Sequence, residues 1–194
     1  MNDTYITINN IAEGYYTEKR SKFYAFAHHV TSADEVKELF QKYKKEYYDA
    51  RHVCYAYRLG PEGAEFRAND DGEPSSTAGK PILGVLLSEG VTDVVIFVIR
   101  YYGGVNLGTG GLIVAYREAA HDAMTGAEKI ERMVEEQLTY NFTYPQMNDV
   151  MRIVKDLEAR IIAQDFQTSC SITLSVRKSV MPQLKQRLEK INFS

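Results

Sequence analysis

The chain is poor in cysteine and has no long apolar run. Its two cysteines, Cys54 and Cys170, lie far apart and form no CxxC motif. This pattern is typical of reduced thiols in a cytosolic protein and argues against a disulfide or a zinc site. No apolar stretch approaches the ~20 residues that a membrane helix needs, and the first residues lack the basic and apolar parts of a secretory signal. We therefore expect a cytoplasmic protein that does not enter a membrane.

The chain also lacks a strong excess of either charge. Its formal net charge is −3, and the acidic excess lies within residues 1–130. A domain dedicated to duplex nucleic acid is usually strongly basic. Any contact with nucleic acid must therefore come from a local patch of positive charge.

Glycine, by contrast, is concentrated in one segment. Nine of the 13 glycines fall between Arg67 and Arg117, mostly in a first loop, residues 69–81, and a second loop, residues 100–111. Glycine is costly in conformational entropy, so it is used where the backbone turns sharply or approaches a ligand closely. Both loops are predicted to run into a helix, whose first turn has unpaired N–H groups. We expect the two loops to fold side by side into one exposed surface.

The hydrophobic pattern around these loops alternates between strand and helix periods. Val94–Ile99 is apolar throughout, which predicts a central strand covered on both faces. The predicted strands are Thr4–Ile8, Lys22–Val30, Arg51–Leu59, Glu65–Ala68 and Val94–Ile99, and the predicted helices are 32–48, 82–90 and 112–125.

No glycine follows Gly126 in the sequence. This change in composition indicates a domain boundary and predicts domains at residues 1–128 and 132–194. The second part has the order βαββα, which begins a ferredoxin-like unit. A further strand would have only Asn192–Ser194 available, so we expect it to be short or missing. The predicted elements are strand 134–144, a helix after Pro145, strands 160–166 and 169–176, and helix 180–191.

The segment Arg51–Tyr116 contains several long ordered strings. They are Asp70–Pro74, Thr77–Pro81, Arg100–Tyr101, Gly103–Gly104, Leu107–Gly108, Gly110–Leu112 and Ala115–Tyr116, and Ser21–Phe23 is a further string near the start of the chain. Through these strings the chain resembles the IMPACT/YigZ family. The resemblance implies an α+β protein. Its first domain would have the α/β fold of a ribosomal small-subunit protein and of domain IV of elongation factor G, and its second would be ferredoxin-like.

The resemblance also implies a setting in translation. Eukaryotic IMPACT proteins carry an extra N-terminal domain and act in translational control by binding a ribosome-associated activator of a kinase. This chain begins with the shared domain and so resembles the bacterial branch, for which the family implies an association with translation or RNA. Asn106 and Val114 depart from positions that are often basic in the family, which weakens the case for phosphate binding at the glycine-rich face, although Arg117, one helical turn beyond Val114, is placed to substitute in part.

The acidic residues of the first loop have three interpretations. Asp70, Asp71 and Glu73 have the oxygen ligands that a divalent cation prefers, and they are also suited to acid–base catalysis. The favoured interpretation is structural, because short carboxylates cap turns and helix starts and pair with arginines. Ser75–Thr77 are typical N-caps. A serine nucleophile would need His52 as its base, and neither GxSxG nor SxxK is present.

Phosphate recognition is the other question that the loops raise. Lys80 follows Gly79, but Pro74 and Pro81 exclude a P-loop. The start of the helix near Thr109 is suited to a phosphate, and a tight strand-to-helix connection explains the same glycines. Tyr101 and Tyr102 are the candidates for stacking on bases.

We predict a non-catalytic binding protein with no cofactor and no metal. Its expected partners are RNA, the ribosome or another protein, and its oligomeric state is left open. The alternative is an enzyme that acts on a small phosphorylated or acyl substrate through the acidic loop and His52. The predicted binding residues, here called the motif surface, are Arg51, His52, Asp70, Asp71, Glu73, Thr77, Lys80, Arg100, Tyr102, Gly104, Gly108, Thr109 and Gly110.

Overall fold

The computed structural model describes residues 3–192 and divides into two compact units. The N-terminal unit is Tyr5–Arg132, and the C-terminal unit begins at Met133 and includes Asp3 and Thr4. No helix within residues 3–192 combines the length and the apolar character needed to span a bilayer.

The N-terminal unit is built around an antiparallel sheet of five strands, in the order β2-β3-β6-β4-β5. A separate pair of strands joins β1 to β7. The strands are β1 Thr4–Ile8, β2 Ala12–Glu18, β3 Ser21–His29, β4 His52–Leu59, β5 Glu65–Asn69, β6 Val94–Tyr101 and β7 Lys129–Met133. The helices are α1 Ala33–Glu46, α2 Gly79–Glu89 and α3 Gly108–Thr125.

Strand β6 is the middle strand of this sheet, and residues 94–99 are fully buried, as the apolar run predicts. Successive residues of β6 and of the adjacent strand β4 face two different cores. Cys54 and Ile96 face a core that includes residues of α2 and α3. Tyr55 and Phe97 face the other core, which includes residues of α1. The sheet is therefore covered on both faces.

The sequence analysis does not predict two of the strands, β2 and β7. Strand β2 contains Gly14 and alternates weakly, but it pairs with β3 along its whole length. A Cβ at Gly14 would lie 2.2 Å from the backbone nitrogen of Ala123 in α3, so tertiary packing rather than strand propensity decides this element. Strand β7 lies where the sequence suggests only a boundary.

The C-terminal unit has the predicted βαββα order, with an antiparallel sheet β8-β10-β9. The pairing of β9 with β10 contains an irregularity at Thr173 and Leu174. The short last strand that the sequence allows would fall within residues 192–194; Asn192 is the C-cap of the last helix, and residues 193–194 lie outside the described residues. The elements are β8 Glu135–Phe142, α4 Met147–Asp156, β9 Arg160–Phe166, β10 Cys170–Arg177 and α5 Met181–Ile191.

The second loop is fixed against the turn between β2 and β3. The N–H of Gly103 donates to Ser21 Oγ at 3.1 Å. A Cβ at Gly103 would lie 2.2 Å from the carbonyl carbon of Arg20, so no side chain fits there. This close approach is the reason for glycine at position 103.

The contact at Gly103 predicts a contrast between two glycine substitutions. Gly103→Ala should lower the free energy of unfolding by about 2 kcal/mol, because the methyl group overlaps backbone that cannot move freely. Gly110→Ala should be neutral or raise it by about 0.5 kcal/mol, because a Cβ there meets nothing within 4 Å and alanine favours a helix. Urea unfolding of both variants tests this, and equal effects would contradict the anchoring role.

Candidate functional site

Asp70 organises the first loop from within. Its Oδ1 accepts hydrogen bonds from the N–H groups of Ala78 (3.2 Å) and Gly79 (2.8 Å), and its Oδ2 accepts one from the N–H of Ser76 (2.9 Å). These bonds satisfy free backbone donors at the start of α2, as a capping carboxylate does. Both oxygens of Asp70 therefore serve the fold.

Asp71 ties the same loop to two other elements. Its Oδ2 accepts from Lys44 Nζ of α1 (2.5 Å) and from the N–H of Val53 in β4 (2.8 Å). Its own N–H donates to Asn69 Oδ1 at 2.8 Å, and its φ of 39° places it in the left-handed region. Lys44 is a partner that sequence analysis missed, since α1 is remote from the loop in the chain.

Glu73 is the buried centre of the site. Only 1% of its side chain is exposed, and its Oε1 accepts from Arg100 Nη1 at 2.5 Å and from His52 Nε2 at 2.7 Å. His52 and Arg100 lie opposite each other on β4 and β6, which places both donors beside one carboxylate. The pairing joins the first loop to the end of β6, where the second loop begins.

Both ring nitrogens of His52 lie beside oxygen atoms. Its Nδ1 is 2.7 Å from the carbonyl oxygen of Asp71, while Nε2 faces Glu73. The imidazole ring is therefore held from two sides by hydrogen-bond acceptors. Glu73 Oε1 in turn lies beside both the His52 ring and the buried Arg100 guanidinium.

Cys54 and Tyr116 lie near this cluster and are not activated. Cys54 donates from Sγ to the carbonyl oxygen of Asp70 at 3.1 Å. Burial raises the pKa of the Cys54 thiol and of the Tyr116 hydroxyl well above their usual ranges. A thiol nucleophile needs a lowered pKa, so Cys54 is a structural residue.

Tyr102 is the exposed part of the site that borders the cluster. Its side chain is 41% exposed, and the Cζ atoms of Arg51 and Arg100 lie 5.2 and 5.7 Å from the centre of its ring. These distances are typical of cation–π contacts. Its hydroxyl donates to Asn106 Oδ1 at 3.3 Å. The ring is thus held between one exposed and one buried arginine.

The remaining predicted residues divide into buried and exposed groups. Thr77 is buried and donates from Oγ1 to the carbonyl oxygen of Pro74. Lys80 is exposed, and within the described part of the chain neither Lys80 nor Arg51 forms a salt bridge. Four further predicted residues are exposed in the second loop, namely Gly104, Gly108, Thr109 and Gly110.

The backbone of the second loop faces open space. Gly104 and Gly108 have φ values of 90° and 72°, and a Cβ at either would meet nothing within 4 Å. Helix α3 begins at Gly108 without a side-chain cap. The backbone here is accessible, whereas the carboxylates of the first loop are committed to internal bonds.

The N-terminal unit also contains a groove that lies away from the motif surface. A groove of about 530 Å³ runs between α2 and α3, and its lining includes Pro81, Gly84, Ile113, Arg117 and His121. None of the motif-surface residues lines this groove.

Sequence analysis also missed Lys19 and Arg20, which form a turn that adjoins Gly103. The basic string Lys19–Lys22 is the signal that could have indicated them.

The burial of Glu73 predicts a large loss of stability on neutralising it. Glu73→Gln leaves the buried guanidinium of Arg100 without a counter-charge, which should cost about 3 kcal/mol. Glu118→Gln is the matched control, because Glu118 is half exposed and only 4.0 Å from Arg117; it should change stability by less than about 0.5 kcal/mol. Chemical unfolding measures both, and a Glu73→Gln variant as stable as the control would exclude a buried ion pair.

Comparison with known proteins identifies the family. The Impact N-terminal domain family model matches residues 19–124. The IMPACT family member YvyE of Bacillus subtilis (strain 168) is 38% identical over 132 residues, which cover 68% of this chain but only 61% of that relative. An IMPACT family member of Haemophilus influenzae is 30% identical over 175 residues, covering 88% of this chain and 84% of the relative.

Solved structures agree with the sequence relatives. A crystal structure of a hypothetical protein is similar with a TM-score of 0.76 and 26% identity, covering 98% of this chain and 93% of that chain. The likeness extends over the α+β fold of both units. This chain therefore belongs to the IMPACT family.

Proposed function

We propose that this protein is a non-catalytic RNA-binding protein that associates with the ribosome and regulates translation. One observation carries the proposal: the carboxylates of the first loop are turned into the fold, while cations, an aromatic ring and glycine backbone face outward beside them. Membership of the IMPACT family supports the translational setting that the sequence resemblance implies.

The geometry gives little support to the enzyme alternative. A general acid or base must come within hydrogen-bond reach of its substrate, but the side chain of Glu73 is 1% exposed. Both oxygens of Asp70 are bonded to backbone, and both nitrogens of His52 face acceptors. These groups position the loop and leave no free acid–base pair at the surface.

The exposed cations of the motif surface have the positive charge that binding to RNA phosphates requires. Arg51 and Lys80 are exposed cations without carboxylate partners among residues 3–192. The net charge of the chain is −3, so binding must come from this local patch rather than from the whole surface. The interaction should therefore be specific to one face and sensitive to salt.

This proposal predicts salt-dependent association with ribosomes. The wild-type protein should co-sediment with ribosomes at low salt and dissociate as the salt concentration rises, because binding releases counterions from phosphates. Arg51→Glu/Lys80→Glu should weaken association at least tenfold. The control Lys37→Glu/Lys42→Glu has the same net charge, changes exposed residues of α1, and should bind like the wild type.

Three outcomes would contradict the proposal. The first is the absence of salt-sensitive association with ribosomes or ribosomal RNA. The second is equal loss in both double variants, which would reflect net charge alone. The third is association that persists after ribonuclease has removed the RNA, which would indicate a protein partner instead.

A further inference from the structure

The turn between β2 and β3 adds a second group of cations to the motif surface. Lys19 and Arg20 form a two-residue hairpin turn between the paired residues Glu18 and Ser21, and both are exposed. The backbone of Arg20 lies against Gly103, and Ser21 accepts a hydrogen bond from the Gly103 N–H. The turn is therefore fixed beside the residue that follows Tyr102.

Tyr102 precedes Gly103 in the chain, and its ring contacts two arginines. Arg100 is buried and is itself held by Glu73. Arg51 contacts the ring from an exposed position. The aromatic ring is thus presented to solvent by a rigid support, which lowers the entropic cost of stacking a ligand on it.

An exposed tyrosine flanked by arginines is suited to unpaired bases. Every base has a π-face, and stacking on an aromatic side chain is worth about 1–3 kcal/mol per base. Arginine guanidinium groups also stack on unpaired bases. They neutralise the charge of the phosphates that link one nucleotide to the next. A duplex keeps its bases stacked on each other, so it cannot use the ring.

We propose that Tyr102, Arg51 and the Lys19–Arg20 turn bind single-stranded RNA. One unpaired base takes the place of the exposed Arg51 guanidinium on the ring of Tyr102, and the displaced Arg51 and the turn contact the phosphates on either side of that base. This inference rests on the proposed function and narrows it to single strands. It also assigns a role to the turn.

Fluorescence anisotropy with two RNA probes tests the inference. The probes are an unstructured single strand of about 12 nucleotides and the same strand annealed to its complement. The wild-type protein should bind the single strand at least tenfold more tightly. Tyr102→Leu should weaken that binding about tenfold, whereas Tyr102→Phe should stay within about twofold, because stacking needs the ring and not the hydroxyl. Tyr144→Leu, which changes a more exposed tyrosine of the C-terminal unit, should have no effect.

The turn has a substitution that removes its charges without disturbing the backbone. Lys19 and Arg20 have φ values of 48° and 67°, which Asn-Gly adopts readily in a type I′ turn. Lys19→Asn/Arg20→Gly should therefore fold normally. It should weaken single-strand binding and lower the slope of log affinity against log salt by about 1.4, the value for two lost phosphate contacts.

The outcomes separate this inference from the proposed function. Wild-type affinity in Tyr102→Leu, equal binding of duplex and single strand, or an unchanged salt slope in the turn variant would each overturn it. If Arg51→Glu/Lys80→Glu still loses ribosome association in those cases, the proposed function stands without the single-strand preference. Loss of binding in Tyr102→Phe as well would show that the hydroxyl is recognised and would contradict stacking as the basis of affinity.

Discussion

The carboxylate of Glu73, buried and shared by two basic side chains, is the interaction on which the motif surface depends. Burial of a charged group is unfavourable unless well-placed donors surround it. The sheet supplies two donors to Oε1, because His52 and Arg100 lie opposite each other on adjacent strands, whereas the buried Oε2 has no hydrogen-bond partner within residues 3–192. This arrangement fixes the first loop against the end of β6 and therefore fixes where the second loop starts.

The three carboxylates of the first loop bind different parts of the fold. Asp70 binds the backbone at the start of α2, Asp71 binds α1 and β4, and Glu73 binds the sheet. Each carboxylate holds the loop to a different element, so the loop has a defined shape without regular secondary structure. The exposed groups Arg51 and Tyr102 lie beside a loop that these internal bonds hold in place.

Much of this arrangement could be predicted from the sequence. The apolar run at residues 94–99 predicts the central strand, and the alternation in residues 51–59 correctly separates Cys54 from Tyr55. The βαββα order of the second unit also follows from periodicity. These features depend on local pattern, which one sequence displays in full.

Other features depend on contacts between distant segments and could not be predicted. The partnership of Asp71 with Lys44 joins residues 27 positions apart, and no local pattern indicates it. Strand β2 is held by packing around Gly14, a residue that argues against a strand when considered alone. The position of the Lys19–Arg20 turn beside Gly103 likewise appears only when β3 and β6 are paired.

The irregularity in the β9–β10 pairing affects how the C-terminal unit behaves in a crowded solution. Strand β9 is a sheet edge, and it exposes Ile161 and Ile162. A flat apolar edge of this kind is a template for aggregation, but a bulge bends the strand and interrupts its ladder of hydrogen bonds. A foreign strand that pairs with β9 would then meet an interrupted register, so the bulge protects an edge that exposes apolar residues.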